Sequence, residues 1–204
     1  MNIDQIQTLP VMEHFYTIQG EGYYTGNAAY FIRLGGCDVG CVWCDVKDSW
    51  DADKHPQNTI SQIVSWVENA NANLVVITGG EPLMHNLTEL TSLLHSKNIQ
   101  TNIETSSAHP ISGAWDWVCV SPKKFKAPLP ETIKHANELK VVVFNKSDFD
   151  WAENNALLVN KDCKLYLQPE WDKSNEMLPH IIEYVKQNPK WKISLQTHKF
   201  MEID

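Results

Sequence analysis

The chain has 204 residues, 43% of them apolar, which suits one core and a single domain across 1–204. Its 25 acidic and 17 basic residues give a net charge of −8. That balance excludes an extended nucleic-acid surface, since the one dense basic run, KKFK at 123–126, is too short to grip a duplex. MNIDQIQTLP carries no apolar signal core and no stretch approaches the roughly 18 apolar residues of a membrane span, so a cytoplasmic protein is expected.

In chain order, AAYFIRL (28–34) reads as a strand feeding a cysteine-rich loop. TISQIVSWVENA (59–70) has helical period, with Ile60, Ile63, Val64 and Val67 on one face and Thr59 and Gln62 placed as a capping box. LVVIT (74–78) is a buried strand, and NLTELTSLLHS (86–96) a helix with Leu87, Leu90 and Leu94 inward. IQTNIET (99–105), WVCVS (117–121), LKVVVF (139–144), KLYLQ (164–168) and KISLQT (192–197) complete the strands. NEMLPHIIEYVKQN (175–188) is a helix with Pro179 in its first turn, where proline is tolerated. This alternation predicts an α/β fold with a parallel sheet and helical crossovers. About six strands are too few for a closed eight-stranded barrel, so a partial barrel or an open sheet is expected.

Most of these strands run into a polar turn: RLGGC, TGGEP, ETSS, VSPK, LQPE and LQTH. In parallel α/β folds the carboxyl ends of the strands share one rim, which predicts that these motifs converge on one cleft.

LGGCDVGCVWCD (34–45) places Cys37, Cys41 and Cys44 at spacing C-x₃-C-x₂-C, flanked by Gly35, Gly36 and Gly40. Cysteines clustered this closely in a chain without a secretory signal point to metal or cluster binding, not to disulfides. A zinc site needs a fourth ligand, and the nearest downstream candidate is His55, with no second C-x-x-C. A ferredoxin supplies four thiolates per cluster. Three thiolates on a [4Fe–4S] cluster leave one iron open to an outside ligand. Cys119 and Cys163, in or beside apolar strands, read as inert buried thiols. His85 reads as a cap or surface residue, Lys124 and Lys126 as a solvated loop face. The tryptophans read as core or dimer contacts, with Trp171 the exception that faces the cleft.

The cysteine triplet, with Trp43 just before its third member, resembles the signature of the radical S-adenosylmethionine (SAM) superfamily, and TGGEP (78–82) resembles its second hallmark. In such enzymes the amino and carboxylate groups of SAM chelate the open iron. FYTIQGEGYYTGNAAYFIRLGGCDVGCVWCD (15–45), then VVITGGEPL, IETS, VSPK, LQP and LQTHK in the same order, resemble the 7-carboxy-7-deazaguanine synthase family. That resemblance implies a radical SAM core fold and conversion of 6-carboxy-5,6,7,8-tetrahydropterin to 7-carboxy-7-deazaguanine with loss of ammonia, on the route to queuosine. It also implies a homodimer, an external electron donor such as flavodoxin, and a chain divided into an extension (1–14), a substrate and cluster segment (15–45) and a substrate-side C-terminal segment (190–204). Ile18, Gln19, Gly20, Arg33, Thr78, Glu104 and His198 then match substrate positions, although Glu104 would serve equally on a ribose hydroxyl. Trp43, Gly80, Glu81, Ser106, Ser121, Pro122, Lys123, Gln168 and Pro169 fall on the SAM side. The family commonly has a threonine after CD that ligates Mg²⁺. Val46 stands there in this chain, so Asp45, Asp48, a backbone carbonyl, or substrate and water must serve, or magnesium dependence is weaker. The rival from another class is a radical SAM activase that makes a glycyl radical on a partner enzyme; a plain iron–sulfur electron carrier is a third reading.

Overall fold

The computed structural model describes residues 6–203, so the first five positions of the predicted 1–14 extension, and residue 204, lie outside the described residues. From Thr8 the chain is a strand, β1 (Thr8–Ile18), paired antiparallel with β2 (Ala28–Leu34) and with the short β3 (Gln57–Thr59). Parallel strands then follow from β2: β4 (Leu74–Gly79), β5 (Gln100–Thr105), β6 (Trp117–Val120), β7 (Glu138–Val143), β8 (Lys164–Pro169) and β9 (Trp191–Ile193). Among the described residues they form one nine-stranded sheet, ordered β3-β1-β2-β4-β5-β6-β7-β8-β9. β2 with β4 to β9 makes seven parallel strands, one more than the six expected.

The helices are α1 (Ile60–Asn69), α2 (Thr88–Ser96), α3 (Pro130–Ile133), α4 (Asp148–Ala156), α5 (Ser174–Gln187) and α6 (Thr197–Met201). Thr59 and Gln62 form the expected capping box at α1, and Leu87, Leu90 and Leu94 are fully buried. Pro179 is the sixth residue of α5, not in its first turn, because the helix already begins at Ser174. The final predicted strand is cut short: β9 ends at Ile193, and Thr197 opens α6.

Side chains alternate faces along each strand, and the two faces differ in chemistry. Ile32 and Leu34, Val75 and Ile77, Val118 and Val120, Leu139 and Val141, and Leu167 join the helices in one apolar core. The opposite face carries Arg33, Thr78, Glu104, Lys140 and Gln168, all lining one cleft. A single cleft touched by β2, β4, β5, β7 and β8 requires the sheet to curl, and the result is a partial barrel with a polar interior.

Candidate active site

The loop after β2 is built to wrap something compact. Gly36 and Gly40 take φ of 102° and 74°, values that a side chain resists. Gly35 N–H donates to Pro10 O, Gly36 N–H to Ser49 O and Cys37 N–H to Trp50 O, so the loop entrance is pinned on both sides. Cys37, Cys41 and Cys44 are free thiols packed together with Val39 and Ala108. Burial pushes the Cys37 thiol up and the Cys41 thiol up to about 11. Thiolates there need positive charge beside them, which the irons of a cluster provide. Among the described residues no three Cys, His, Asp or Glu side chains converge as ligands of one metal ion. Three thiols spread around a loop suit the separate corners of a polynuclear cluster instead.

The TGGEP turn is fastened to this loop. Gly80 N–H donates to Leu34 O and Glu81 N–H to Gly36 O, at 3.0 and 2.8 Å. A Cβ on Gly80 would stand 2.3 Å from Gly36 O and 2.7 Å from the Cys37 Cβ, so only glycine allows this approach. Glu81 is 1% exposed and its carboxylate is fully engaged. Oε1 accepts from Leu83 N–H (3.0 Å) and the Thr105 hydroxyl, and Oε2 from Ser106 N–H (2.8 Å) and the Ser106 hydroxyl. Glu81 and Ser106 thus lock the ends of β4 and β5 together beneath the cleft.

Two histidines brace the same loop. His85 caps the short turn Pro82–Met84, as expected of a cap, with its N–H donating to Pro82 O. Its Nε2–H also donates to Gly35 O at 2.8 Å, so the half-buried ring supports the cysteine loop. His55 Nε2–H donates to Asp48 O (2.8 Å) while its ring packs on Gly35. From the other side come Lys123, whose Nζ lies 5.6 Å from the Trp43 ring centre, and Phe125, edge-on to Trp43. Lys124 and Lys126 do lie on a solvated face, at 38% and 35% side-chain exposure, and both are also paired. Lys126 pairs with Asp38 at 2.6 Å, where His109 also binds, and Lys124 pairs with the buried Asp148 at 2.6 Å.

The interior of the barrel is charged. Lys140, 3% exposed, pairs with Glu21 and lies 3.6 Å from Glu104. Gln19 Nε2–H donates to Glu104 Oε1 (3.1 Å), and Gln196 Nε2–H to Glu21 Oε1 (2.9 Å). Burial alone would raise Glu21, but the Lys140 ammonium and amide donors hold it well below the usual carboxylate range. Lys140 itself sits well above its ordinary value, the flanking carboxylates outweighing burial. Glu138 is raised by burial, with Oε2 accepting from Tyr23 N–H and Trp117 Nε1–H.

Residues 19–22 reach this interior because the C-terminal segment docks on them. Thr197 donates twice to Gly20 O, both at 2.9 Å, and Gly22 N–H donates to the Ser194 hydroxyl. A Cβ on Gly20 would fall 2.3 Å from His198 Nδ1. Burial lowers the His198 imidazole below its ordinary value, which keeps it neutral at pH 7.

One cleft therefore gathers Ile18, Gln19, Gly20, Arg33, Thr78, Glu104 and His198 with Trp43, Gly80, Glu81, Ser106, Ser121, Lys123, Gln168, Pro169, Cys37 and Cys44. Two predicted residues lie behind the wall: Cys41, buried against Val39 and Ala108, and Pro122, buried with its carbonyl accepting from Trp151 Nε1–H. Trp171 does face the cleft. Asp45 and Val46 line it as well, whereas Asp48 is exposed outside it. Lys140, Glu21 and Gln196 went unread in the sequence. The available signal was Glu138 and Lys140 two residues apart in an otherwise apolar strand, a pattern that puts charge on one strand face.

The radical SAM superfamily model matches residues 31–121. A 7-carboxy-7-deazaguanine synthase of Flavobacterium psychrophilum is 56% identical over 203 residues, covering 98% of this chain and 95% of that protein. The enzyme of that name from Synechocystis is 44% identical over 194 residues, covering 95% and 93%. The crystal structure of QueE from Escherichia coli superposes with a TM-score of 0.83 at 32% identity, covering 93% of this chain and 94% of that one. With the cysteine loop, the glycine turn fastened to it and a match running nearly end to end, the chain belongs to the 7-carboxy-7-deazaguanine synthase family of radical SAM enzymes.

Proposed function

We propose that the chain converts 6-carboxy-5,6,7,8-tetrahydropterin to 7-carboxy-7-deazaguanine with loss of ammonia, a carbon–nitrogen lyase step supplying queuosine synthesis. Cys37, Cys41 and Cys44 would hold the [4Fe–4S] cluster, and Gly79–Gly80 would offer backbone to the methionine end of SAM. With that cluster and SAM bound, the site would supply radical chemistry able to take hydrogen from an unactivated carbon. The protein's share is to bind, orient and exclude water.

The observation that carries this reading is one row of side chains across the barrel interior. Arg33 is in register with Thr78, and Thr78 lies one step beyond the pair Ile77–Ile103, level with Glu104. Arg33 and Glu104 are thus two strand spacings apart, about 10 Å. That span suits a flat bicyclic ligand with a carboxylate at one end and a guanidine-like edge at the other. Arg33 would fork onto the carboxylate and Glu104 would accept from the edge. Gln19 and His198 would close over the ring from the floor and the C-terminal side. Lys123, Ser121, Gln168 and Pro169 at the far strand ends would bound the adenosyl group.

Magnesium fits poorly as a protein-held ion. Val46 offers no oxygen, Asp48 is outside the cleft, and Asp45 is 3.7 Å from the Lys199 ammonium. We therefore assign weaker magnesium dependence than in a threonine-bearing relative. The family resemblance further supports a homodimer, a reductant of flavodoxin type and a cytoplasmic setting. No helix of the described residues is long and apolar enough to cross a membrane.

The test is anaerobic reconstitution with iron and sulfide, then incubation with the carboxytetrahydropterin, SAM and reductant across a magnesium series. Deazaguanine product, lost in Cys37→Ala, Cys41→Ala or Cys44→Ala, is expected, with only a shallow rise on adding magnesium. A glycyl radical on a partner protein without that product would favour the activase, and cluster spectra indifferent to SAM would favour an electron carrier.

A further inference from the structure

Lys140 belongs to no cysteine or glycine motif, yet it is among the most deeply buried charges in the protein. Its side chain is 4% exposed on the inner face of β7, between the carboxylates of Glu21 and Glu104. The two carboxylates are not equivalent. Glu21 has both oxygens engaged, Oε2 by Lys140 and Oε1 by Gln196, and Gln168 bonds it as well. In Glu104 it is Oε1 that accepts from Gln19 Nε2–H, at 3.1 Å, and faces the Lys140 ammonium, at 3.6 Å. The Glu104 side chain is 25% exposed and lines the cleft. Its second oxygen is the one these partners leave to a ligand.

We infer that Lys140 is a positioning residue for substrate recognition: with Gln19 it clamps Oε1 of Glu104 and so aims Oε2 at the amino-bearing, guanidine-like edge of the bound pterin. This rests on the function proposed above and deepens it. Glu21 and Glu104 flank the one ammonium, and Glu138 adds to the negative field around it, so the floor is complementary to a ligand edge rich in N–H donors. The same arrangement separates the two uses open to Glu104. Its clamped oxygen faces the 19–21 loop and Lys140, so the carboxylate is tied to the floor and not to the far strand ends that would bound the adenosyl group. A carboxylate without its clamp is free to rotate, and a donor edge then meets an oxygen held by nothing. Lys140 holds Glu104 by a buried ion pair at 3.6 Å without a hydrogen bond, and losing it is expected to weaken binding of the amino-bearing ligand by about tenfold or more.

The experiment measures equilibrium binding to the cluster-loaded enzyme with SAM but without reductant, so that no turnover occurs. Two ligands are compared, the carboxytetrahydropterin and an analogue lacking the 2-amino group, in wild type, Lys140→Met, Lys140→Arg, Glu104→Gln and the Lys140→Met/Glu104→Gln double variant. The wild type is expected to prefer the amino-bearing ligand. Lys140→Met loses that preference, with SAM affinity and the cluster spectrum unchanged, and Lys140→Arg restores most of it. The double variant binds no more weakly than Glu104→Gln alone, the non-additivity of residues acting as a unit. Lys140→Gln is measured in parallel should methionine prevent folding. Retained preference in either neutral variant, or losses that add in full in the double variant, would overturn the inference. Failure of the wild type to bind the pterin at all would instead sink the proposed function.

Discussion

Arg33 is directly opposite Glu13 in the antiparallel pair of β1 and β2, and the two side chains form an ion pair through Arg33 Nε. That contact fixes the plane of the guanidinium at the cleft wall and leaves the terminal nitrogens to a planar, two-oxygen partner. A lysine keeps the charge but loses the fork. Arg33→Lys is expected to weaken binding of the carboxytetrahydropterin by about ten- to a hundredfold while leaving SAM affinity unchanged. Equilibrium binding of the two ligands checks this, and equal losses for both would show a general collapse of the cleft. Arg33 was legible in the sequence because it ends a strand beside the cysteine loop. Lys140 was not, since a lysine inside LKVVVF declares its burial only once the sheet has curled.

Among elements, the junction of the β2 and β4 loops matters most. Three points hold it: Gly80 N–H on Leu34 O, Glu81 N–H on Gly36 O, and the Glu81 carboxylate spanning to β5. A methyl group on Gly80 would meet backbone oxygen and the Cys37 Cβ, neither of which is the loose end of a side chain. Gly80→Ala should therefore displace the cysteine loop, seen as iron content per chain falling to less than half of wild type after identical reconstitution. Full iron loading in that variant would show that the loop tolerates the shift. The glycine turn and the cysteine loop were both readable as motifs. Their contact was not, because Gly80 lies 46 positions beyond Leu34 and Glu81 45 beyond Gly36, with all of α1 between, and only the parallel register of β2 beside β4 brings them together.

For the whole molecule, the polar barrel interior couples stability to pH. The Glu21 carboxyl is held below its ordinary value, so it favours the folded chain above about 4.5, and that advantage disappears as pH falls through its folded value. Glu138 acts in the opposite sense. Burial raises it, so the folded chain takes up that proton earlier and gains some stability on acidification. Thermal unfolding of cluster-free protein should show Glu21→Gln clearly less stable than wild type at pH 6, with the gap narrowing toward pH 3. A gap independent of pH would mean that Glu21 contributes shape and not charge.

The sequence by itself determined the α/β class, the parallel strand run, the capped α1 and the identity of the rim motifs, because each depends on short-range periodicity or on local turn chemistry. It also determined the three-thiol loop, whose spacing is a property of eight consecutive positions. Tertiary structure alone decided which polar residues are interior. β1, with its mixed burial, and the shortened β9 took their form from the neighbours they pair with. The 19–22 loop enters the barrel because Thr197 and Ser194 hold it there, and Lys140 meets Glu21 across 119 positions of chain. Such contacts are set by strand order and curvature, which no local pattern encodes.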